Sequence, residues 1–182
     1  MNTSFLIRDG VESDIANCLT LDTSYETNYV WQMSIQNEAN LFRVTFRTER
    51  LPRTMEVIYP PDEKRLKLSL PQEHCFLVAV GKDSSDVLGY LSMWRDDANQ
   101  LVRIRDLVIG REHRGQKLAT KLLNVARQWA RIRQIHQIII ETQTKNYPAI
   151  LFCQNSEFEF CGFNDQYFRN QDIAVFFGQT LR

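Results

Sequence analysis

The 182-residue sequence predicts a mixed α/β domain in which most strands run antiparallel. Three strand-like segments joined by short polar turns precede Gly110, and short turns between strands indicate antiparallel pairing. After Gly110 the apolar residues recur at helical spacing and are followed by a buried strand, which indicates a strand–helix–strand unit with parallel strands. We therefore expect one domain over residues 1–182.

The composition is that of an ordinary globular protein, with 43% hydrophobic and 24% charged residues. The 22 Lys and Arg balance the 22 Asp and Glu, so the formal net charge is zero. Proteins that wrap nucleic acid need a surplus of cations to neutralise phosphates, so we expect no nucleic-acid partner, although a local basic patch is compatible with neutrality. No apolar run reaches about 18 residues, so no contact with a membrane is expected.

The cysteines and histidines do not form a metal-binding pattern. The four cysteines contain no Cys-x-x-Cys pair, and three histidines do not complete a zinc site: Cys18, Cys75, Cys153 and Cys161; His74, His113 and His136. Free thiols in a reducing cytoplasm are favoured over disulfides. The start of the chain carries Asp9 and Glu12 and does not resemble a signal peptide. The expected location is the cytoplasm, and no metal is expected.

The first part of the chain predicts a strand, a helix and two longer strands. Phe5–Arg8 has strand composition, and Ser13 is a candidate N-cap for the helix that follows. Between Tyr25 and Tyr59, aromatic and β-branched residues alternate with polar ones, which indicates two strands. The polar segment after Pro60-Pro61 has the composition of a linker.

The rest of the chain has sharper patterns. CFLVAVG, VLGYLSMW and LVRIRDLVIG are the three consecutive strands, separated by the turns KDSSD and DDANQ. One apolar helix face is predicted from spacings of four and three residues: Leu118, Leu122, Val125, Trp129 and Ile132. QIIIET is the next strand, and Tyr147 or Pro148 opens a shorter helix, since Pro suits a first helical turn. FEFCGF and IAVFF are the last two strands.

The segment IGREHRGQKLATKLL joins a strand to an amphipathic helix and is rich in cations. Its one acidic residue is Glu112, and its four basic residues are Arg111, Arg114, Lys117 and Lys121. Free backbone N–H groups at the positive end of a helix dipole form a ready anion site. The only glycines are Gly110 and Gly115, so this is neither a Walker A loop nor a dinucleotide fingerprint. Composition and spacing leave two interpretations open, a phosphate-like anion site or a solvated basic turn.

Two motifs in this half of the chain resemble those of the GNAT acyltransferase superfamily. Arg114-Gly115-Gln116-Lys117-Leu118-Ala119 resembles the (Arg/Gln)-x-x-Gly-x-(Gly/Ala) loop that cradles the pyrophosphate of acetyl-CoA. ETQTKNYPAILFC looks like the family's E-T-x-x-x-N-x-P-A-x-x-F-Y stretch, especially in the streptothricin-acetyltransferase-like branch. Three family residues are replaced: the Gly in the fourth place of the loop motif by Lys117, the Tyr by Cys153 and a later Gly by Glu157.

The resemblance implies a GNAT fold, a mostly antiparallel central sheet flanked by helices with a βαβ cofactor-binding unit. Residues 1–73 would form a variable acceptor-side part and residues 74–182 the cofactor-binding core. The implied activity is transfer of an acetyl group from acetyl-CoA to a primary amine of a small molecule, by direct attack and without a metal, in a monomer or homodimer. The three replaced residues leave open an alternative, a catalytically weak or inactive CoA-binding module of the same fold.

The resemblance also implies which residues bind the cofactor. The strand before the loop would offer a backbone N–H to the thioester carbonyl, the loop would bind the pyrophosphate, and Asn146 and Phe152 would lie along the pantetheine arm. The expected set is Leu107, Val108, Ile109, Arg114, Gly115, Gln116, Lys117, Leu118, Ala119, Thr120, Asn146 and Phe152.

Four residues are candidates for proton transfer: Asp106, Cys153, Glu141 and Tyr167. Asp106 is the candidate base, or else it forms an ion pair with Arg103 or Arg105. Glu141 ends a strand, where its carboxylate either faces the cleft or bonds the adjacent turn. Cys153 is either an acid for the CoA thiolate, because an ordinary Cys has a pKa of about 8.5, or a small apolar filler. Tyr167 is a reserve proton donor.

Overall fold

The computed structural model describes residues 4–84 and 86–181, so Ser85 in the predicted KDSSD turn lies outside the described residues. The elements follow in this order: β1 (Phe5–Asp9), α1 (Glu12–Leu19), β2 (Ser24–Glu38), β3 (Leu41–Ile58), α2 (Glu63–Lys67), β4 (Cys75–Gly81), β5 (Val87–Asp96), β6 (Leu101–Ile109), a 3₁₀ turn (Arg111–His113), α3 (Leu118–Ile132), β7 (Gln137–Gln143), α4 (Tyr147–Asn155), β8 (Glu159–Asn164) and β9 (Ala174–Thr180). No helix in this part of the chain is long and apolar enough to cross a membrane.

Seven strands form one sheet in the order β1-β4-β5-β6-β7-β9-β8, and β2 and β3 form a two-stranded sheet. The pairs β1–β4, β4–β5 and β5–β6 are antiparallel. β6 and β7 are parallel, from Leu101 opposite Gln137 to Ile104 opposite Ile140. The predicted mixed, mostly antiparallel sheet and the strand–helix–strand unit around Gly110 are confirmed.

The contacts within the chain divide it into two compact units. The first unit comprises Met1–Tyr25, Ile58–Ile140 and Gly178–Arg182, and the second comprises Glu26–Val57 and Glu141–Phe177. The expected border between residues 73 and 74 falls inside the first unit. The assignment of residues 1–182 to one domain stays a prediction.

The core of the first unit surrounds β4, whose seven residues are all buried. Because successive strand residues point to opposite faces, both faces of β4 are covered, which explains its unbroken apolar run. One cluster joins β4 and β5 to α1, α2 and the end of β6: Ile15, Cys18, Leu66, Phe76, Val78, Val80, Val87, Tyr90 and Val108. Helix α3 also contacts β4, β5 and β6.

Two predictions in the front part of the chain are corrected. Ser13 lies inside α1, whose N-cap is Val11, and the Asp14 carboxylate accepts the Val11 N–H at 2.9 Å. The segment after Pro60-Pro61 is not a linker, because it forms α2. Asp62 caps this helix by accepting the Arg65 N–H at 3.1 Å, an ordinary acidic N-cap.

The buried face of α3 is rotated from the predicted stripe. Its buried residues are Leu118, Leu122, Leu123, Ala126 and Ala130, whereas Val125 is 37% and Ile132 70% exposed. The two alanines occupy buried positions because their small side chains allow the helix backbone to approach the sheet closely. A prediction of the buried face from large apolar residues alone leaves these two alanines out.

The second unit is built around aromatic side chains. Trp31 and Phe46 of the β2–β3 ribbon lie 5.5 Å apart between ring centroids, and both contact Phe160 of β8. Trp31 also contacts Phe177 of β9, and its backbone N–H donates to the Thr144 carbonyl at 2.9 Å. The aromatic residues of the predicted strand pair therefore form a half-buried aromatic cluster in this unit.

Candidate active site

The loop between β6 and α3 presents backbone N–H groups at the start of a helix. Gly115 and Lys117 both adopt a positive φ, 77° and 62°, and Lys117 is the N-cap residue of α3. No side chain among the described residues caps this helix, and the Lys121 N–H is the donor that bonds the Lys117 carbonyl, at 3.0 Å. The preceding N–H groups of Leu118, Ala119 and Thr120 have no acceptor inside the helix, which is the arrangement that binds anions.

Two of the residues that stand in place of a family glycine have the backbone conformation that favours glycine. Lys117 has a φ of 62° and Glu157, just after α4, has a φ of 64°. A side chain in the left-handed region costs about 1 kcal/mol relative to glycine. Both positions therefore keep the backbone shape for which glycine is suited, and the left-handed conformation after α4 supports the assignment of Glu157 to the later family Gly.

Arg114 and Arg111 brace the loop against the segment that follows α1. The Arg114 guanidinium donates to the Ser24 carbonyl at 2.6 Å and to the Ile109 carbonyl at 3.1 Å. Arg111 donates to the Ser24 hydroxyl at 3.1 Å, and its backbone N–H bonds the Asp22 carbonyl. Burial lowers the pKa of Arg114, with Arg111 acting in the same direction and Asp22 opposing it. Arg114 therefore fixes the shape of the loop.

The other loop residues have distinct environments. Leu118 is buried and anchors the start of α3, Ala119 is half-buried and Thr120 is exposed. The side-chain oxygen of Gln116 is buried and has no hydrogen-bond partner in residues 4–84 and 86–181. A cleft of about 680 Å³ adjoins the first half of the loop, between Gly110–His113, the end of α1 and the β4–β5 turn.

The last residues of β6 direct alternate N–H groups to opposite sides. The Gly110 N–H donates to the Leu88 carbonyl of β5 at 3.0 Å, so the Val108 N–H also faces β5 and those of Leu107 and Ile109 face away. The parallel ladder with β7 runs only from Leu101 to Ile104. The N–H groups of Leu107 and Ile109 thus lie past its end, where a thioester carbonyl could accept them, and Val108 contributes a buried side chain instead.

Asp106 lies beside a β-bulge in β6. Ser92 of β5 is opposite Asp106 and the next residue, Met93, is opposite Ile104, so Arg105 is an extra residue. The Asp106 side chain is fully buried in an ion pair with Arg65 of α2, not with Arg103 or Arg105 as the alternative expected. Its other partners are the hydroxyl groups of Tyr59 and Ser92.

Sequence reasoning missed Arg65, Tyr59 and Ser92. Arg65 is 41 residues from Asp106 and Tyr59 is 47 residues away, so no local pattern joins them. One signal was present: an Asp directly after two prolines is a helix start, and a helix there would have placed Arg65 on a defined face.

Glu141 and Tyr167 meet in the second unit. The Tyr167 hydroxyl donates to Glu141 Oε2 at 2.6 Å. The Tyr167 ring is held edge-on by Phe168 and Phe176, at 5.1 and 5.5 Å between centroids. Two of the four proton-transfer candidates therefore form one hydrogen-bonded acid–base pair.

Helix α4 carries the remaining candidates. The Asn146 side-chain oxygen caps the helix by accepting the Ala149 N–H at 3.2 Å, which leaves its amide nitrogen as the group suited to a cofactor carbonyl. Phe152 is half-buried. Cys153 is 1% exposed, and burial raises the pKa of its thiol to about 12. Cys153 was a candidate acid because an ordinary thiol has a pKa of about 8.5, and Cys153 does not have that pKa. Its buried surroundings suit the apolar-filler interpretation.

The described residues contain no group of three or more His, Cys, Asp or Glu side chains that could hold a metal ion. All four cysteines are free thiols in the structure, and of these four Cys161 alone is exposed. The functional groups that the structure assembles are thus backbone donors, one buried ion-pair cluster and one phenol–carboxylate pair.

The mixed sheet whose parallel pair β6–β7 flanks the uncapped start of α3 is the arrangement that the resemblance to acyltransferases implied, and a family comparison agrees with that resemblance. The model of the acetyltransferase (GNAT) family matches residues 39–158. This match covers more than half of the sequence, and the chain belongs to that family.

Two curated relatives have names that specify a narrower class of acetyltransferase than the family name does. The chain is 38% identical over 75 residues to a streptothricin acetyltransferase of Escherichia coli, covering 41% of each chain. It is 33% identical over 85 residues to a streptothricin acetyltransferase of Streptomyces lavendulae, covering 47% of this chain and 44% of that one. The aligned segments thus span less than half the length of these curated relatives.

Solved structures match over nearly the whole chain. A nourseothricin acetyltransferase superimposes with a TM-score of 0.84 at 22% identity, covering 99% of this chain and 100% of that one. A Bacillus anthracis protein assigned to the streptothricin acetyltransferases, solved in complex with acetyl coenzyme A, superimposes with a TM-score of 0.81 at 21% identity, covering 98% and 99%. At these identities the likeness shows the fold.

Proposed function

We propose that this protein is an acetyl-CoA-dependent N-acetyltransferase that acetylates a primary amine of a small molecule of the streptothricin class. The observation that carries the proposal is the loop from Gly110 to Lys117, which ends in uncapped N–H groups at the start of α3. These N–H groups suit the pyrophosphate of CoA, and the family match gives that interpretation precedence over a solvated basic turn.

The reaction proceeds by direct attack. The neutral amine attacks the thioester carbonyl carbon, so a C–N bond forms, the C–S bond breaks and CoA leaves as a thiolate. The N–H groups of Leu107 and Ile109 stabilise the negative charge that develops on the carbonyl oxygen. The amine gives up one proton to a base and the thiolate gains one. Glu141 and Tyr167 are the proposed base and acid of the second unit, since they form a bonded carboxylate–phenol pair.

The distribution of charge suits these two substrates. The first unit carries sixteen Lys and Arg against thirteen Asp and Glu, and the second carries six against nine. An anionic cofactor is thus attracted to the unit that contains the loop, and a cationic amine to the unit that contains Glu141. The names of the curated relatives supply the acceptor class.

We infer a cytoplasmic location, because acetyl-CoA and four free thiols are both compatible with a reducing compartment. Acetyl-CoA and the amine are the proposed partners, without nucleic acid or membrane, and the proposed oligomeric state is a monomer or homodimer.

Two measurements test the function: calorimetric binding of acetyl-CoA, and release of CoA thiol with streptothricin and a panel of simple amines. The variants Gln116→Pro, which removes a loop N–H, and Arg114→Glu, which removes the brace to Ser24, should each weaken acetyl-CoA binding about tenfold or more. Arg50→Glu, an equal charge reversal on exposed β3, is the matched control and should bind normally.

The outcomes separate the alternatives. Unchanged acetyl-CoA affinity in both loop variants would contradict the assignment of the loop. Normal binding of acetyl-CoA with no thiol release for any amine would favour the CoA-binding module.

A further inference from the structure

We propose that Arg65 and Tyr59, acting through Asp106, position the end of β6 for acetyl transfer, and that Asp106 is not the base. The three residues are called the β6 brace below. This inference rests on the proposed function, because the groups that the brace positions are the N–H donors to the thioester carbonyl.

Both carboxylate oxygens of Asp106 already accept hydrogen bonds from the protein, so neither is presented to a substrate. Arg65 Nε lies 3.0 and 3.1 Å from the two carboxylate oxygens and Arg65 Nη2 lies 2.7 Å from Oδ1. The Tyr59 hydroxyl donates to Oδ1 at 2.8 Å and the Ser92 hydroxyl to Oδ2 at 2.6 Å. A carboxylate offers about four lone-pair sites, and these five contacts occupy them. Its side chain is also fully shielded from solvent.

The brace acts on the bulge itself. It holds Asp106, which is the residue next to the extra Arg105, and it links Asp106 across the ladder to Ser92. The Tyr59 hydroxyl oxygen also lies 3.4 Å from the Arg105 carbonyl oxygen. The bulge is therefore held through the Asp106 side chain by groups from outside β6.

The bulge decides which N–H groups of β6 are available to a ligand. One extra residue reverses the facing of every residue that follows it. Without the bulge, the N–H groups of Leu107 and Ile109 would turn toward β5 and that of Val108 would turn away. A loosened bulge thus misplaces the donors of the carbonyl site, whereas the uncapped N–H groups at the start of α3 belong to a separate helix.

The brace is anchored at its other end. The Ser69 hydroxyl donates to the Arg65 carbonyl at 3.1 Å and accepts the Trp94 indole N–H at 2.7 Å. The Arg105 guanidinium lies over the Trp94 ring at 5.1 Å. These contacts link α2 through Trp94 of β5 to the bulge. Arg65 is therefore held at its backbone as well as by its ion pair with Asp106.

Both donors of the brace keep their protons at neutral pH. Burial acts to lower the pKa of Arg65, but the Asp106 carboxylate raises it above its ordinary value. Burial raises the pKa of the Tyr59 phenol, and Asp106 adds to the effect. Arg65 remains a cation and Tyr59 a neutral donor.

The test uses two mild variants of the full chain, Arg65→Lys and Tyr59→Phe. Arg65→Lys keeps the charge but loses the two-pronged contact, and Tyr59→Phe loses only the hydroxyl. We expect kcat with acetyl-CoA and streptothricin to fall about tenfold or more, because misplaced donors act on the transition state. The acetyl-CoA Kd should change by less than about threefold, and the pH midpoints of kcat/KM should not move.

The matched control is Arg8→Lys, which weakens the Arg8–Asp14 pair of the same unit. It should leave kcat unchanged, which separates positioning from a general loss of stability. Asp106→Asn should lower kcat but keep the acidic limb of the pH profile. Hydrogen exchange of residues 101–110, which needs no acetyl transfer, should quicken in Arg65→Lys and not in Arg8→Lys.

Two results would overturn the proposal. One is a kcat within about twofold of wild type in both brace variants with unchanged hydrogen exchange of β6. The other is loss of the acidic limb in Asp106→Asn, which would make Asp106 the base. A wild-type protein that neither binds acetyl-CoA nor releases thiol would contradict the proposed function, and hydrogen exchange would then decide on the brace alone.

Discussion

The hydroxyl of Tyr167 donates a 2.6 Å hydrogen bond to Glu141 Oε2, joining the loop after β8 to β7 across 26 residues of sequence. Tyr167 is 38% exposed, so this phenol–carboxylate pair combines a fixed geometry with access to solvent. Buried structural pairs lack that access, and we therefore propose this pair as the base and acid of the reaction.

We expect Glu141→Gln to lower kcat by about 100-fold or more and to abolish the acidic limb of the pH–rate profile, because Gln cannot accept a proton. Tyr167→Phe should lower kcat by about tenfold, since it removes a donor but leaves the carboxylate. The measurement is steady-state thiol release across pH. Tyr29→Phe, at another exposed tyrosine of the second unit, is the control. Full activity in Glu141→Gln would exclude Glu141 as the base.

Lys117→Gly should stabilise the fold by about 0.5–1 kcal/mol, because glycine adopts the φ of 62° without strain. Lys117→Ala removes the same charge without relieving the backbone, so it should bring no gain. Thermal unfolding measures both. Calorimetry of acetyl-CoA binding then separates the two roles of the side chain: weaker binding in both variants indicates a contribution of its charge, and tighter binding in the Gly variant indicates crowding.

Glu157→Gly should stabilise the protein relative to Glu157→Ala by a similar amount, about 0.5–1 kcal/mol, since Glu157 has a φ of 64° where a helix ends. Denaturant unfolding of the two variants measures the difference directly. Equal stability would mean that the left-handed conformation after α4 is not retained in solution.

Cys153→Ala should keep kcat within about threefold of wild type, because a buried thiol with a pKa of about 12 stays protonated and acts as a small apolar group. Thiol labelling of the folded protein should modify Cys161 first, and Cys161→Ser should remove that fast phase. A large loss of kcat in Cys153→Ala, with normal thermal stability, would restore the proton-donor interpretation.

The Arg8–Asp14 pair should make stability depend on pH in the acid range. Hydrogen bonds from Arg8 hold the pKa of Asp14 below its ordinary value. The pair therefore contributes fully above the unfolded pKa of about 3.9 and loses its contribution as pH falls through the folded pKa. Asp14→Asn should lower Tm clearly at neutral pH and much less near pH 3. Asp9→Asn, an exposed carboxylate nearby, should show no such convergence.

Local sequence patterns predicted nearly every strand and helix, because alternation, helical spacing and turn residues act within a few positions. They failed where small residues or distant partners decide the outcome. Ala126 and Ala130 are buried by close backbone approach, which their size permits but their hydropathy does not signal. The Arg65–Asp106 pair depends on the packing of α2, and no spacing rule reaches across 41 residues.

The site was predictable to a similar degree. A helix start directly after a strand was predicted between Gly110 and Leu118, and the structure has it, without a side-chain cap among the described residues. The partners of Arg114 could not be foreseen, because Ser24 precedes it by 90 residues. Cys153 was judged by its ordinary pKa, and only burial in the folded chain reveals the change.

The interleaving of the two units has a consequence for synthesis on the ribosome. The first unit begins with Met1–Tyr25 and is completed by Gly178–Arg182, and the Leu181 N–H closes it by bonding the His136 carbonyl at 2.7 Å. The second unit likewise waits for residues 141–177. Neither unit can finish folding while the last strand is still inside the exit tunnel, so β7 and β8 lack their partner β9 until residues 174–180 have emerged. Chaperone dependence during expression should therefore be greater than that of a contiguous domain of equal size.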